Sequence, residues 1–190
     1  MRKLIPIYFI LILMILVIAQ RVKAENVHFN NFVYTLKSGD ISNRKNVVKN
    51  DYYRRDENKD YWTSAIQISY YPEISNPLKY AAEVDKKIEG KENLLLLKFI
   101  QNKKQNIAII SYLENIVQND KTYFIYNLCK YEKHPKKGIL ELKFSKKYVF
   151  NTKEEITQIG KEVKSINNDY MEQMIILHIP AIVEKEFQKD

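Results

Sequence analysis

Residues 51–62, Asp-Tyr-Tyr-Arg-Arg-Asp-Glu-Asn-Lys-Asp-Tyr-Trp, concentrate the side chains that dominate molecular recognition. Tyr52, Tyr53, Tyr61 and Trp62 supply large amphipathic rings, and Arg54 and Arg55 are two of only five arginines in the chain. Aromatic and guanidinium groups carry much of the energy at binding hot spots. These six residues are therefore the candidate binding set, suited to a protein, a peptide or a glycan. The same stretch also fits a plainer role, a polar hairpin tip whose rings fold back onto the core.

Catalytic chemistry has weaker candidates. Cys129 and His134 lie five residues apart beside a turn, which formally allows a thiol–imidazole pair. No helix start and no Gly-lined turn follows Cys129 to activate it, so it reads as a buried structural thiol, with His134 in an exposed turn. His178, in Ile175-Ile176-Leu177-His178-Ile179, reads as a hydrogen-bonded residue near the end of a helix, and His28 sits on an edge-strand candidate. Glu154-Glu155 suits the first turn of a helix, where the dipole favours acids. The sequence contains no serine-hydrolase elbow, no phosphate-cradling glycine loop and no HExxH. Its single Cys excludes a disulfide framework and a four-cysteine metal site. No catalytic residue, metal site or cofactor is expected, and the chain reads as non-enzymatic.

Residues 1–24 are a different object. Met1-Arg2-Lys3 precedes an apolar run from Leu4 to Ala19, and Val22 and Ala24 stand at −3 and −1 of a cleavage site. This is the pattern of a Sec-type signal peptide. The run is short for a ~20-residue membrane span, and an uncleaved inner-membrane anchor is the alternative. Periplasmic or secreted residence follows if it is cleaved. The segment contributes Arg2, Lys3, Arg21 and Lys23 and no acid, so the formal charge of +8 falls to +4, 27 cations against 23 anions, in residues 25–190. That balance serves solubility, and export removes nucleic acid as the expected partner.

The elements that must position the aromatic cluster follow from periodicity. Asn26–Leu36 alternates with a slip after Phe29, as a strand would, and residues 40–60 read as a long loop or hairpin tip. Trp62–Tyr71 alternates again. Asn76-Pro77 caps and opens a helix whose stripe is Leu78, Ala81, Ala82 and Ile88, with Gly90 after it. Four strands follow in series over Asn93–Gln101, Ile107–Leu113, Lys121–Tyr131 and Ile139–Phe150. Thr152-Lys153-Glu154-Glu155 is a capping box. Ile156, Ile159, Val163, Ile166, Tyr170 and Met174 then mark a helix face, with Asn167-Asn168-Asp169 weakening its end and Pro180 limiting it. Residues 184–190 read as a frayed end. The expected fold is a single α+β domain over residues 25–190, ordered β-β-α-β-β-β-β-α. About six antiparallel strands carry two helices, in the manner of an α/β/α sandwich.

A Trp-bearing strand running into Tyr70-Tyr71-Pro72, a helix opening at Asn76-Pro77, a four-strand meander and a long last helix together resemble the small Mog1/PsbP-like α/β/α sandwiches over residues 60–175. The resemblance implies an accessory or binding protein without catalysis and transfers no site residue. The function expected is that of an exported, non-enzymatic binding protein, assisting an envelope assembly. The alternatives are a small hydrolase-like enzyme and an anchored envelope structural or inhibitor protein.

Overall fold

Short-range signals set the two helices of the described residues. A computed structural model describes residues 25–42, 46–118 and 121–183; the expected signal segment at 1–24 and the frayed end at 184–190 lie outside the described residues. Helix α1 spans Pro77–Glu89, with the Asn76 side chain accepting from the Lys79 amide at 3.0 Å and Pro77 at its start. Gly90 ends it with φ −83°, not in the left-handed conformation. Helix α2 spans Lys153–Ile176 behind the full Thr152/Glu155 capping box. It runs straight through Asn167-Asn168-Asp169. Each of those side chains has a partner that keeps it off the helix backbone. Asn167 accepts from Tyr126 Oη, Asn168 from Lys98 Nζ and Asp169 from Gln173 Nε2. Ile156, expected on the buried face, is 37% exposed, and the buried stripe begins at Ile159.

Among the described residues the sheet has eight antiparallel strands, not about six, in the order β1-β2-β3-β4-β8-β7-β6-β5. β1 (Val27–Phe29) and β2 (Phe32–Ser42) form a hairpin. Asn30 and Asn31, both at positive φ, make its two-residue turn, so the apparent slip after Phe29 is a chain reversal. β3 (Val47–Tyr53) occupies ground read as loop. Lys49-Asn50-Asp51 is too polar to look like a strand, yet its polar groups are satisfied. Asp51 accepts from Gln67 Nε2 at 2.8 Å and Ser38 Oγ at 3.1 Å. The buried Asn50 amide exchanges two hydrogen bonds with the backbone of Val183. β4 (Ser64–Tyr71) pairs with β8 (Ile139–Val149), which joins the first four strands to the meander of β5 (Leu94–Asn102), β6 (Ile107–Gln118), β7 (Lys121–Lys133) and β8. Because β5 lies at the far edge, the chain leaving β4 must cross the meander, and α1 lies in that crossover.

Strand alternation divides the side chains between two layers. On one face Tyr34, Tyr52, Ile66, Ile68, Leu128, Leu142 and Phe144 pack under the α2 stripe of Ile159, Val163, Tyr170, Met171 and Met174. On the other, Ala108, Ile110, Cys129, Tyr131 and Ile139 meet Ala81 and Ile88 of α1. The helices thus cover opposite faces. Lys130 is buried and donates to the carbonyls of Ile175 and Leu177 while pairing with Glu132 at 2.9 Å. It supplies the positive charge that the last turn of α2 lacks. Among the described residues no helix is long and apolar enough to cross a membrane.

Gly138 in the β7–β8 turn has φ +84°, and a Cβ there would stand 2.4 Å from the Tyr71 carbonyl oxygen and 2.8 Å from Pro72 Cα. Backbone strain and overpacking should make Gly138→Ala cost about 2–4 kcal/mol. Urea unfolding reads this directly, and an unchanged midpoint would show that the hairpin relaxes without cost.

Candidate binding surface

Residues 51–62 do not act as one loop. The stretch begins inside β3, where alternation sends Tyr52 into the α2-side core and Tyr53 to the opposite face. Tyr52 is fully buried and is excluded from any contact surface. Burial pushes its hydroxyl up to about 12. The Tyr53 hydroxyl is raised by burial first, and then by the charges of Asp51 and Asp60.

The turn that follows is built around Glu57. Its Oε1 accepts from the amide and the hydroxyl of Thr63, and Arg54 Nη1 lies 3.9 Å away. The Asn58 side chain accepts from the amides of Asp60 and Tyr61, an Asx turn. Arg54 also lies over the Phe32 ring at 4.1 Å, so it works as an internal strut. Arg55 is exposed, and its carbonyl accepts from Lys37 Nζ. Tyr61 is 68% exposed. Of the six candidates, the structure brings only Tyr53 and Trp62 together on one concave surface.

That surface exists because α1 is too short to cover its face of the sheet. It packs over β5, β6 and β7 and against Tyr71 and Ile139 at one end of β4 and β8, and the other end, around Ala65 and Ser145, is lined by a cleft instead. The Lys147 amide donates to the Thr63 carbonyl at 2.8 Å, which brings Trp62 onto β8. Lys147 Nζ then sits 4.2 Å from the centre of the Trp62 ring and 5.7 Å from that of Tyr123, a cation held by two aromatic faces. Desolvation there lowers its pKa, against the pull of the Glu57 carboxylate.

Trp62 is a wall shared by two clefts. The smaller, about 140 Å³, is lined by Tyr53, Asp51, Gln67, Lys143, Ala65 and Ser145. The larger, about 340 Å³, is lined by Trp62 and Tyr123 together with Lys59, Asp60 and Lys147. Asp51 is already oriented by Gln67 and Ser38. Ser145 Oγ donates to the buried Asn127 at 2.7 Å. Sequence reasoning missed Lys143, Ser145, Lys147 and Tyr123. The alternation of β8 marked its polar side chains as one face, but that face read as ordinary solvated surface.

Cys129 is buried under α1, and burial, then the nearby Glu141 charge, pushes its thiol up to about 12. A thiolate nucleophile is disfavoured there. Glu141 instead accepts from Tyr71 Oη at 2.7 Å and Tyr131 Oη at 2.9 Å. His134 is half-buried, not exposed, and its ring packs against Tyr70 at 4.7 Å. His178 lies beyond the last residue of α2 and is exposed. Among the described residues no group of three or more His, Cys, Asp or Glu is placed to hold a metal ion.

A model of an uncharacterised protein family matches residues 22–179. No curated protein and no solved structure matches the chain.

Proposed function

The chain belongs to this uncharacterised family, and from that premise we propose that it is an exported, non-enzymatic binding protein. Its partner is recognised through the open part of the sheet around Trp62. One observation carries the reading. The short α1 does not extend over the part of the sheet where Tyr53, Trp62 and Tyr123 line two clefts. Concave surfaces with aromatic walls and a few oriented polar groups are where ligands bind.

The apolar run at 4–19 and the small residues at 22 and 24 support export to the periplasm or the medium. The Mog1/PsbP-like order of elements supports an accessory role, assisting an envelope assembly, by analogy of architecture alone.

Trp62→Ala tests the surface. It should abolish retention of the partner that copurifies with the chain from its native envelope. Stability should fall by no more than about 1 kcal/mol, since the ring is half-buried and lies outside both cores. A loss of several kcal/mol, or a partner retained undiminished, would make Trp62 a structural wedge. Mass spectrometry of the recovered N-terminus tests export. A chain starting at Glu25 supports it, and an intact Met1 in membranes favours the anchored alternative.

A further inference from the structure

We infer that the ligand of this surface is an acidic oligosaccharide, one ring in each cleft beside Trp62, its carboxylates meeting Lys143 and Lys147. The inference rests on the reading of this face as the binding surface and names the chemistry it selects.

The charge pattern of β8 argues for anionic groups on the ligand. Lys146 points to the α2 side and is neutralised by Glu162 at 2.7 Å. Its neighbours on the open face, Lys143 and Lys147, have no carboxylate within 4 Å among the described residues. Each lines one of the two clefts. They stand four positions apart, roughly 14 Å along β8. The ligand must therefore present negative charge at two separated places, one on each side of Trp62.

The other groups say what else the ligand carries. Asp51 and Gln67 line the small cleft and Asp60 the large one. Carboxylates accept hydrogen bonds, so they suit hydroxyl donors and repel phosphates. A polyphosphate backbone would meet these acids without offering them a proton. A sugar acid offers both hydroxyls and carboxylates. Its flat C–H faces also match the rings of Tyr53, Trp62 and Tyr123 that line the two clefts. A peptide gains no strand pairing here, because β3, β4 and β8 have ladder partners on both sides.

Trp62 is the only tryptophan in the chain, so its fluorescence reports from the site itself. The purified full chain would be titrated with tetragalacturonate, with neutral cellotetraose, with tetraglutamate and with a thymidine tetranucleotide. The expected result is saturable perturbation by tetragalacturonate that weakens with added salt. Binding should be roughly tenfold weaker in Lys143→Gln and in Lys147→Gln, and largely restored in Lys147→Arg. Melting curves of each variant keep loss of binding separate from loss of fold. Equal binding of cellotetraose, glutamine variants that bind unchanged, or silence towards tetragalacturonate would overturn the inference. A response to tetraglutamate or the tetranucleotide alone would overturn the sugar class and leave the surface standing. Partner retention unaffected by Trp62→Ala would remove the surface as well.

Discussion

Above pH 10 the protein should lose stability steeply and unfold by about pH 12. The cause is the number of tyrosines held protonated by burial. Desolvation pushes Tyr34 and Tyr52 up to about 12 from an ordinary 10.0. It drives Tyr71, Tyr112, Tyr126, Tyr131 and Tyr148 higher still, with the charge of Glu141 adding at Tyr71, Tyr112 and Tyr131. In the unfolded chain these phenols ionise near pH 10. Between that value and the folded one, the native state holds protons the unfolded state has released. Their contribution is complete below pH 10 and is lost as the pH rises. Each such tyrosine removes up to about 1.4 kcal/mol per pH unit, so Tyr34 and Tyr52 together account for at most about 5 kcal/mol by pH 12. That is comparable with the whole stability of a typical domain, about 5–15 kcal/mol. The phenolate absorbance of these residues should rise together with the loss of circular dichroism. A native far-ultraviolet spectrum persisting while every tyrosine titrates near pH 10 would refute the account.

Phe144→Ala should lower stability by about 3–5 kcal/mol. Phe144 stands near the middle of β8, in register with Ile66 of β4 and Leu128 of β7. It joins the two halves of the sheet under α2. Its ring centre lies 4.8 Å from that of Phe29, 5.8 Å from Tyr170, 6.3 Å from Tyr34 and 6.5 Å from Tyr126. These partners come from β1, α2, β2 and β7, so the cavity left by alanine cannot close by moving one element. The urea midpoint should fall with the slope unchanged. Val149→Ala, at the exposed end of the same strand, should stay within about 0.5 kcal/mol. A Phe144→Ala midpoint no lower than that of Val149→Ala would mean that the aromatic cluster does not hold the halves together.

Legibility tracked the range of the interactions. The α2 start was readable because Thr152 and Glu155 satisfy each other within one turn. The β8 strand was readable because Leu140, Leu142 and Phe144 alternate with polar residues. Strand β3 was not, because Asn50 finds its partner 133 residues away and Asp51 binds side chains on two other strands. Tyr52 and Tyr53 look equivalent in a row of aromatics, yet a strand must send neighbours to opposite faces. One became core and the other cleft wall.

The sequence by itself determined the class of the fold, the two helices, most of the strands and the one stretch dense in recognition side chains. All of these rest on contacts within a few residues or on a repeating period. Only the tertiary structure decided which face stays open, since that depends on how far α1 reaches across a sheet assembled from distant strands. It also decided that, among the described residues, Lys143 and Lys147 stand beside Trp62 with no carboxylate within 4 Å while Lys146 between them has one. Side-chain neutralisation across strands depends on register and face, and neither is written in local order.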